Sequence, residues 1–94
     1  MHERKLLKEA IEEIEGAESY IKCAMKYRAD KPEWAKHYIS MAQDEMRHAE
    51  MLYGMAGRNE GHTELERAFL DELHEWYEER MAKAKHMFEA YHKA

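Results

Sequence analysis

Residues 44–52 read Asp44-Glu45-Met46-Arg47-His48-Ala49-Glu50-Met51-Leu52, or DEMRHAEML. In a helix, Glu45 and His48 stand one turn apart on the same face. Tyr38, Met41, Ala42, Ala49 and Leu52 share that face and form an apolar stripe through the pair. A carboxylate within such a stripe costs several kcal/mol unless it is neutralised or paired. The pair is therefore either solvated decoration or a metal ligand set carried inward.

The composition favours helices. The chain has 94 residues, one Pro, four Gly and 37% charged residues, which suits one mostly helical domain spanning residues 1–94. Val is absent and no stretch alternates as a strand would. A net charge of −5 argues against a nucleic-acid partner, which needs a basic face. No apolar run approaches the ~20 residues of a spanning helix, and no basic amphipathic stretch suggests a membrane surface. Glu12, Glu13 and Glu15 interrupt any signal-like apolar run near the N-terminus. The lone Cys23 excludes an internal disulfide and points to a reducing cytoplasm.

Two breaks divide the chain. Asp30, Lys31 and Pro32 form the first, with Asp30 expected to cap the helix that Pro32 begins. Gly54, Gly57, Asn59 and Gly61 form the second, followed by Thr63 and Glu66 at capping-box spacing. Three helices are expected, over about 3–29, 33–55 and 62–92. The first carries a seam of Leu7, Ile11, Ile14, Glu18, Ile21 and Met25, with Ala10, Ala17 and Ala24 beside it. The third carries Leu70, Leu73, Tyr77, Met81, Ala84, Phe88 and Tyr91, widened by Leu65, Phe69 and Trp76. Gly16 sits mid-helix, where glycine costs ~1 kcal/mol relative to alanine, and close approach of another helix is one reason for it.

The first connection is short, so the first two helices are expected to be antiparallel neighbours. With residue 31 or 32 as the middle of the turn, Glu18 and Glu45 fall at the same height. His48 lies one turn beyond Glu45. One Glu facing a Glu-x-x-His is half the ligand set of a di-metal carboxylate bundle. A two-fold homodimer supplies the other half and places the metals between subunits. The expected architecture is all-α: an antiparallel two-helix hairpin plus a long third helix, with a four-helix di-metal bundle completed by homodimerisation. Carboxylates with imidazole suit iron, and manganese or zinc also fit.

DEMRHAEML, with GAES around Glu18, resembles the metal motifs of the ferritin-like superfamily over roughly residues 10–55. A single-hairpin chain of this size is similar to the encapsulated ferritins, whose subunits pair to rebuild a di-iron site. The resemblance implies Glu18, Glu45 and His48 as metal-binding and catalytic residues, with Glu45 bridging and Glu18 terminal. It also implies oxidation of Fe(II) by oxygen for storage or detoxification. Asp44 would support His48, and Glu15 would attract incoming cations. An encapsulating shell is the partner implied by the family, yet no short apolar targeting peptide follows the third helix in this sequence. The CxxC pairs of a rubrerythrin's rubredoxin module are also missing.

The rival expectation is a non-enzymatic helical interaction protein with a vestigial site, its carboxylates paired with Arg28 and Arg47. A rubrerythrin-like or manganese-dependent peroxide scavenger is a further enzymatic alternative. His74, Glu89 and His92 read as packing or surface residues rather than ligands.

Overall fold

A computed structural model describes residues 2–58 and 63–93. It contains three helices, α1 (His2–Tyr27), α2 (Pro32–Ala56) and α3 (Glu64–Lys93), and no strand among the described residues. They form a rod of 53 × 17 × 14 Å in which α3 packs chiefly along α1. Asn59 and Gly61, part of the second sequence break, lie outside the described residues.

Local chemistry accounts for the boundaries. Lys31, not Asp30, is the N-cap of α2, and no side chain caps that end. The Lys31 carbonyl accepts from Trp34 N at 3.0 Å and Ala35 N at 3.1 Å. Pro32, at the first helical position, has no N–H needing a cap. Gly57 ends α2 with a φ of +58°, a conformation in which a Cβ is strained. Thr63 starts α3 as its spacing predicts: its Oγ1 accepts from Glu66 N at 3.2 Å and contacts Glu66 Oε1 at 3.2 Å.

The α1 seam packs largely as expected. Leu7, Ile14 and Ile21 are fully buried and Ile11 nearly so, each contributing ~1.5–3 kcal/mol of apolar burial. Met25, at the end of that seam, is exposed. The inward face of α2 differs from the expected stripe. Its buried residues are Ala35, Ala42, Met46, Ala49 and Ala56. Tyr38, Glu45 and Leu52 are only half-buried, while Met41 and His48 are exposed. Ala35, Ala42, Ala49 and Ala56 recur at intervals of seven, as do Ala10, Ala17 and Ala24 on α1. Both alanine rows are buried. Small side chains there let the two backbones approach closely and turn the larger residues of α2 to its flank.

On α3, Leu70, Leu73, His74, Tyr77, Met81 and Ala84 are buried. Leu65, Phe69 and Trp76, expected to widen that face, remain exposed; α2 meets α3 on another face, through Tyr53 against His74 and Tyr77. A polar network closes one end of the rod. Glu3, fully buried, accepts from Arg67 Nη2 at 2.7 Å and meets His74 Nε2 at 3.0 Å. His74 Nδ1 lies 3.0 Å from the Tyr53 hydroxyl, and the Tyr53 ring stacks on Tyr77 at 3.8 Å. Burial raises both phenols, Tyr77 to about 12. His74 is thus a hydrogen-bonded core histidine. No described helix is long and apolar enough to cross a membrane.

Candidate metal centre

Glu45 and His48 project from the flank of α2 that borders α1, and the carboxylate that meets them there is Glu13. One ligand atom from each of Glu13, Glu45 and His48 lies within 4.8 Å of the others. Among the described residues this is the group of acidic, His or Cys side chains close enough to hold an ion. Two donors on opposite sides of one ion at ~2.2 Å stand ~4.4 Å apart. Ligand atoms that all lie within 4.8 Å of one another therefore reach one ion with at most a small inward rotation of a side chain. Glu13 and Glu45 are half-buried and His48 is exposed, so ions can reach the group from solvent.

Glu45 carries the electrostatic signature of the cluster. Hydrogen bonding to Glu13 raises its pKa to about 7, reinforced by partial burial and the negative charge of Glu13. His48 acts in the opposite direction and Asp44 adds to the rise. Two carboxyl groups in hydrogen-bond contact share a proton near neutral pH, as like charges at short range disfavour double ionisation. A cation removes that conflict by replacing the proton. Carboxylates and imidazole are the donor types that iron, manganese or zinc accept, so the residues present fit such an ion.

Gly16 on α1 lies against the Glu45 side chain. A Cβ built on Gly16 would stand 3.3 Å from Glu45 Oε2 and 3.8 Å from its carboxyl carbon. The Glu45 carboxylate therefore lies directly against α1, one turn along from Glu13.

Glu18, which the sequence reading joins to Glu45 and His48, is turned toward α3. Arg80 Nε donates to Glu18 Oε1 at 3.3 Å, and Lys83 Nζ lies 3.7 Å from Oε2. The side chain is 7% exposed, so its charge is neutralised within the α1–α3 contact rather than in the ion-sized group. The difference has two geometric causes. Glu13 and Glu18 are five residues apart, about 140° around the helix. The hairpin register also differs slightly from the expected one: with Glu45 against Gly16 and Glu13 beside His48, paired positions sum to about 61, where Glu18 facing Glu45 requires 63. Glu18 then stands about two residues, ~3 Å, nearer the connection than the position that faces Glu45.

The neighbouring acids are also accounted for. Asp44 pairs with Arg47 on its own helix. Glu15 lies 3.7 Å from Arg80 Nη2. Arg28 Nη1 donates to the Tyr91 carbonyl at 3.0 Å and Arg47 pairs with Asp44, whereas Glu18 pairs with Arg80 and Lys83. His92 packs its ring on Phe88 at 4.6 Å.

Apolar surface flanks the cluster in both directions along α2. Toward the open end, Met51, Leu52 and Met55 line a groove with Glu13 and His48. Toward the connection, Trp34, His37, Tyr38 and Met41 line another. Tyr27 stacks on Tyr38 at 5.9 Å and meets Trp34 edge-on at 5.2 Å, extending the surface onto α1. Trp34, Met41, Met51 and Met55 are 48%, 38%, 65% and 67% exposed, an apolar face with the carboxylate–imidazole cluster at its centre.

No family model matches this chain, and neither a curated protein nor a solved structure matches it.

Proposed function

We propose that this chain is a ferritin-like, di-iron type of protein that takes Fe(II) as substrate and oxidises it with dioxygen. Two copies would join through the α1–α2 face. The observation that carries this reading is the convergence of Glu13, Glu45 and His48 at the centre of an exposed apolar surface. One chain offers one Glu and one Glu-x-x-His, and a carboxylate bundle for two ions needs two of each. A second copy supplies them and also covers Trp34, Met41, Met51 and Met55.

In this reading each residue has a distinct task. Glu45, between Glu13 and His48, gives up its shared proton and offers its carboxylate to the incoming ion. Glu13 binds as a second carboxylate from α1, and His48 offers one ring nitrogen. Glu18 stays out of the ligand set and fastens α3 to α1. The two Fe(II) of the paired site would together give two electrons to dioxygen, which takes up two protons and leaves as hydrogen peroxide, while the paired hairpins exclude bulk water. Manganese and zinc satisfy the same donors, and both are comparison ions in the test.

The test is anaerobic addition of Fe(II) to the purified chain, followed by air. The expected result is an Fe(III) absorbance that Glu45→Ala and Glu13→Ala abolish, with about one metal per chain. Equal oxidation rates in wild type and both variants would refute the assignment. Protein that holds no metal would favour the non-enzymatic interaction reading. Peroxide consumption with manganese and no iron oxidation would favour a scavenger.

A further inference from the structure

We propose that Gly16 is a positioning residue, its missing side chain being the space in which the Glu45 carboxylate lies beside Glu13. The proposal rests on the metal-binding reading of Glu13, Glu45 and His48 and adds a residue that touches no ion.

Three observations lead to it. Gly16 lies in the interior of a 26-residue helix whose core seam is otherwise well packed, a position where glycine weakens the helix. Its absent Cβ would stand 3.3 Å from Glu45 Oε2. That separation is tighter than ordinary carbon–oxygen contact, so an alanine there displaces the carboxylate by a few tenths of an ångström. Finally, the nearest atoms to that point are all from Glu45: Oε2, the carboxyl carbon at 3.8 Å and Cγ at 4.0 Å. No backbone of α2 comes equally close, so the glycine makes room for this side chain rather than for the crossing of the two helices.

Gly54 shows the contrast, since a Cβ there meets nothing within 4 Å. Displacing one ligand by tenths of an ångström disturbs a group whose ligand atoms all lie within 4.8 Å of one another. Residues that orient ligands without binding the ion typically change affinity ~10- to 100-fold when altered.

Co(II) binding provides the test, read by visible absorbance, because it does not depend on oxygen. Gly16→Ala should fold, melt about 4 °C or more above wild type through better helix propensity, and bind Co(II) ~10-fold more weakly. Glu45→Asp shortens the side chain and withdraws its carboxylate from the added methyl. The Gly16→Ala penalty should therefore be much smaller in the Glu45→Asp background. Undiminished Co(II) affinity in Gly16→Ala, or the same loss in both backgrounds, overturns the positioning role and leaves the metal site standing. Wild type that binds no Co(II) overturns the metal-binding reading and the role of Gly16 with it.

Discussion

Arg80 on α3 donates through Nε to Glu18 Oε1 at 3.3 Å, making a nearly buried carboxylate on α1 the anchor point of the third helix. This contact separates two roles that look alike along the chain. Glu18→Ala should retain Co(II) binding within about twofold of wild type, whereas Glu13→Ala should lose at least ~10-fold. Glu18→Ala should also destabilise the fold by ~1–2 kcal/mol. That lies below the ~3–5 kcal/mol for orphaning a fully buried charge, because the side chains of Arg80 and Lys83 are 27% and 60% exposed and remain hydrated. Isothermal titration and urea denaturation measure the two effects. Loss of metal binding in Glu18→Ala would return that residue to the ligand set.

The Glu13–Glu45 pair sets a pH dependence. Because Glu45 titrates near 7, metal and proton compete there, and Co(II) affinity should rise steeply from pH 6 to pH 8. Glu45→Gln should bind weakly throughout and flatten that rise.

The same group affects the metal-free fold in the opposite sense. Its folded pKa lies above its unfolded value of 4.5, so the folded state holds the extra proton between 4.5 and about 7. The resulting stabilisation is complete below 4.5 and is lost as pH rises through 7. Solvent screening at this half-exposed site keeps the effect small. In EDTA, the urea midpoint of wild type should fall relative to that of Glu45→Gln between pH 4.5 and pH 8. A difference independent of pH would contradict proton sharing.

Glu3 anchors the other end of the rod between Arg67 and His74. It is fully buried, so Glu3→Ala should cost ~3 kcal/mol, within the range for breaking a buried ionic contact. Metal binding should be unaffected. Thermal denaturation followed by circular dichroism provides the check.

The apolar α1–α2 face predicts self-association. Met41 and Met55 are exposed in the single chain, so Met41→Lys with Met55→Lys should leave the helices folded and shift the assembly toward monomer. Sedimentation velocity reads the mass, and Fe(II) should favour the larger species in wild type. Wild type that remains monomeric at all concentrations, with and without Fe(II), would contradict the paired-hairpin reading.

By itself the sequence determined three helices, their approximate limits, the Thr63–Glu66 cap and the apolar seams of α1 and α3, all of which follow from spacing and short-range chemistry. It also singled out Glu45 and His48, because a carboxylate and an imidazole one turn apart share a face whatever surrounds them. Which α1 carboxylate meets them was decided by the tertiary structure. Equal distance from the connection favours Glu18, but a shift of a few residues in hairpin register replaces one acid by another. The direction in which each acid points further depends on where α3 lies, and α3 supplies Arg80 and Lys83 to Glu18. Gly16 was the available sign of Glu13. A glycine within a long helix marks where something approaches the backbone, and the alanine rows set the register that makes this something Glu45.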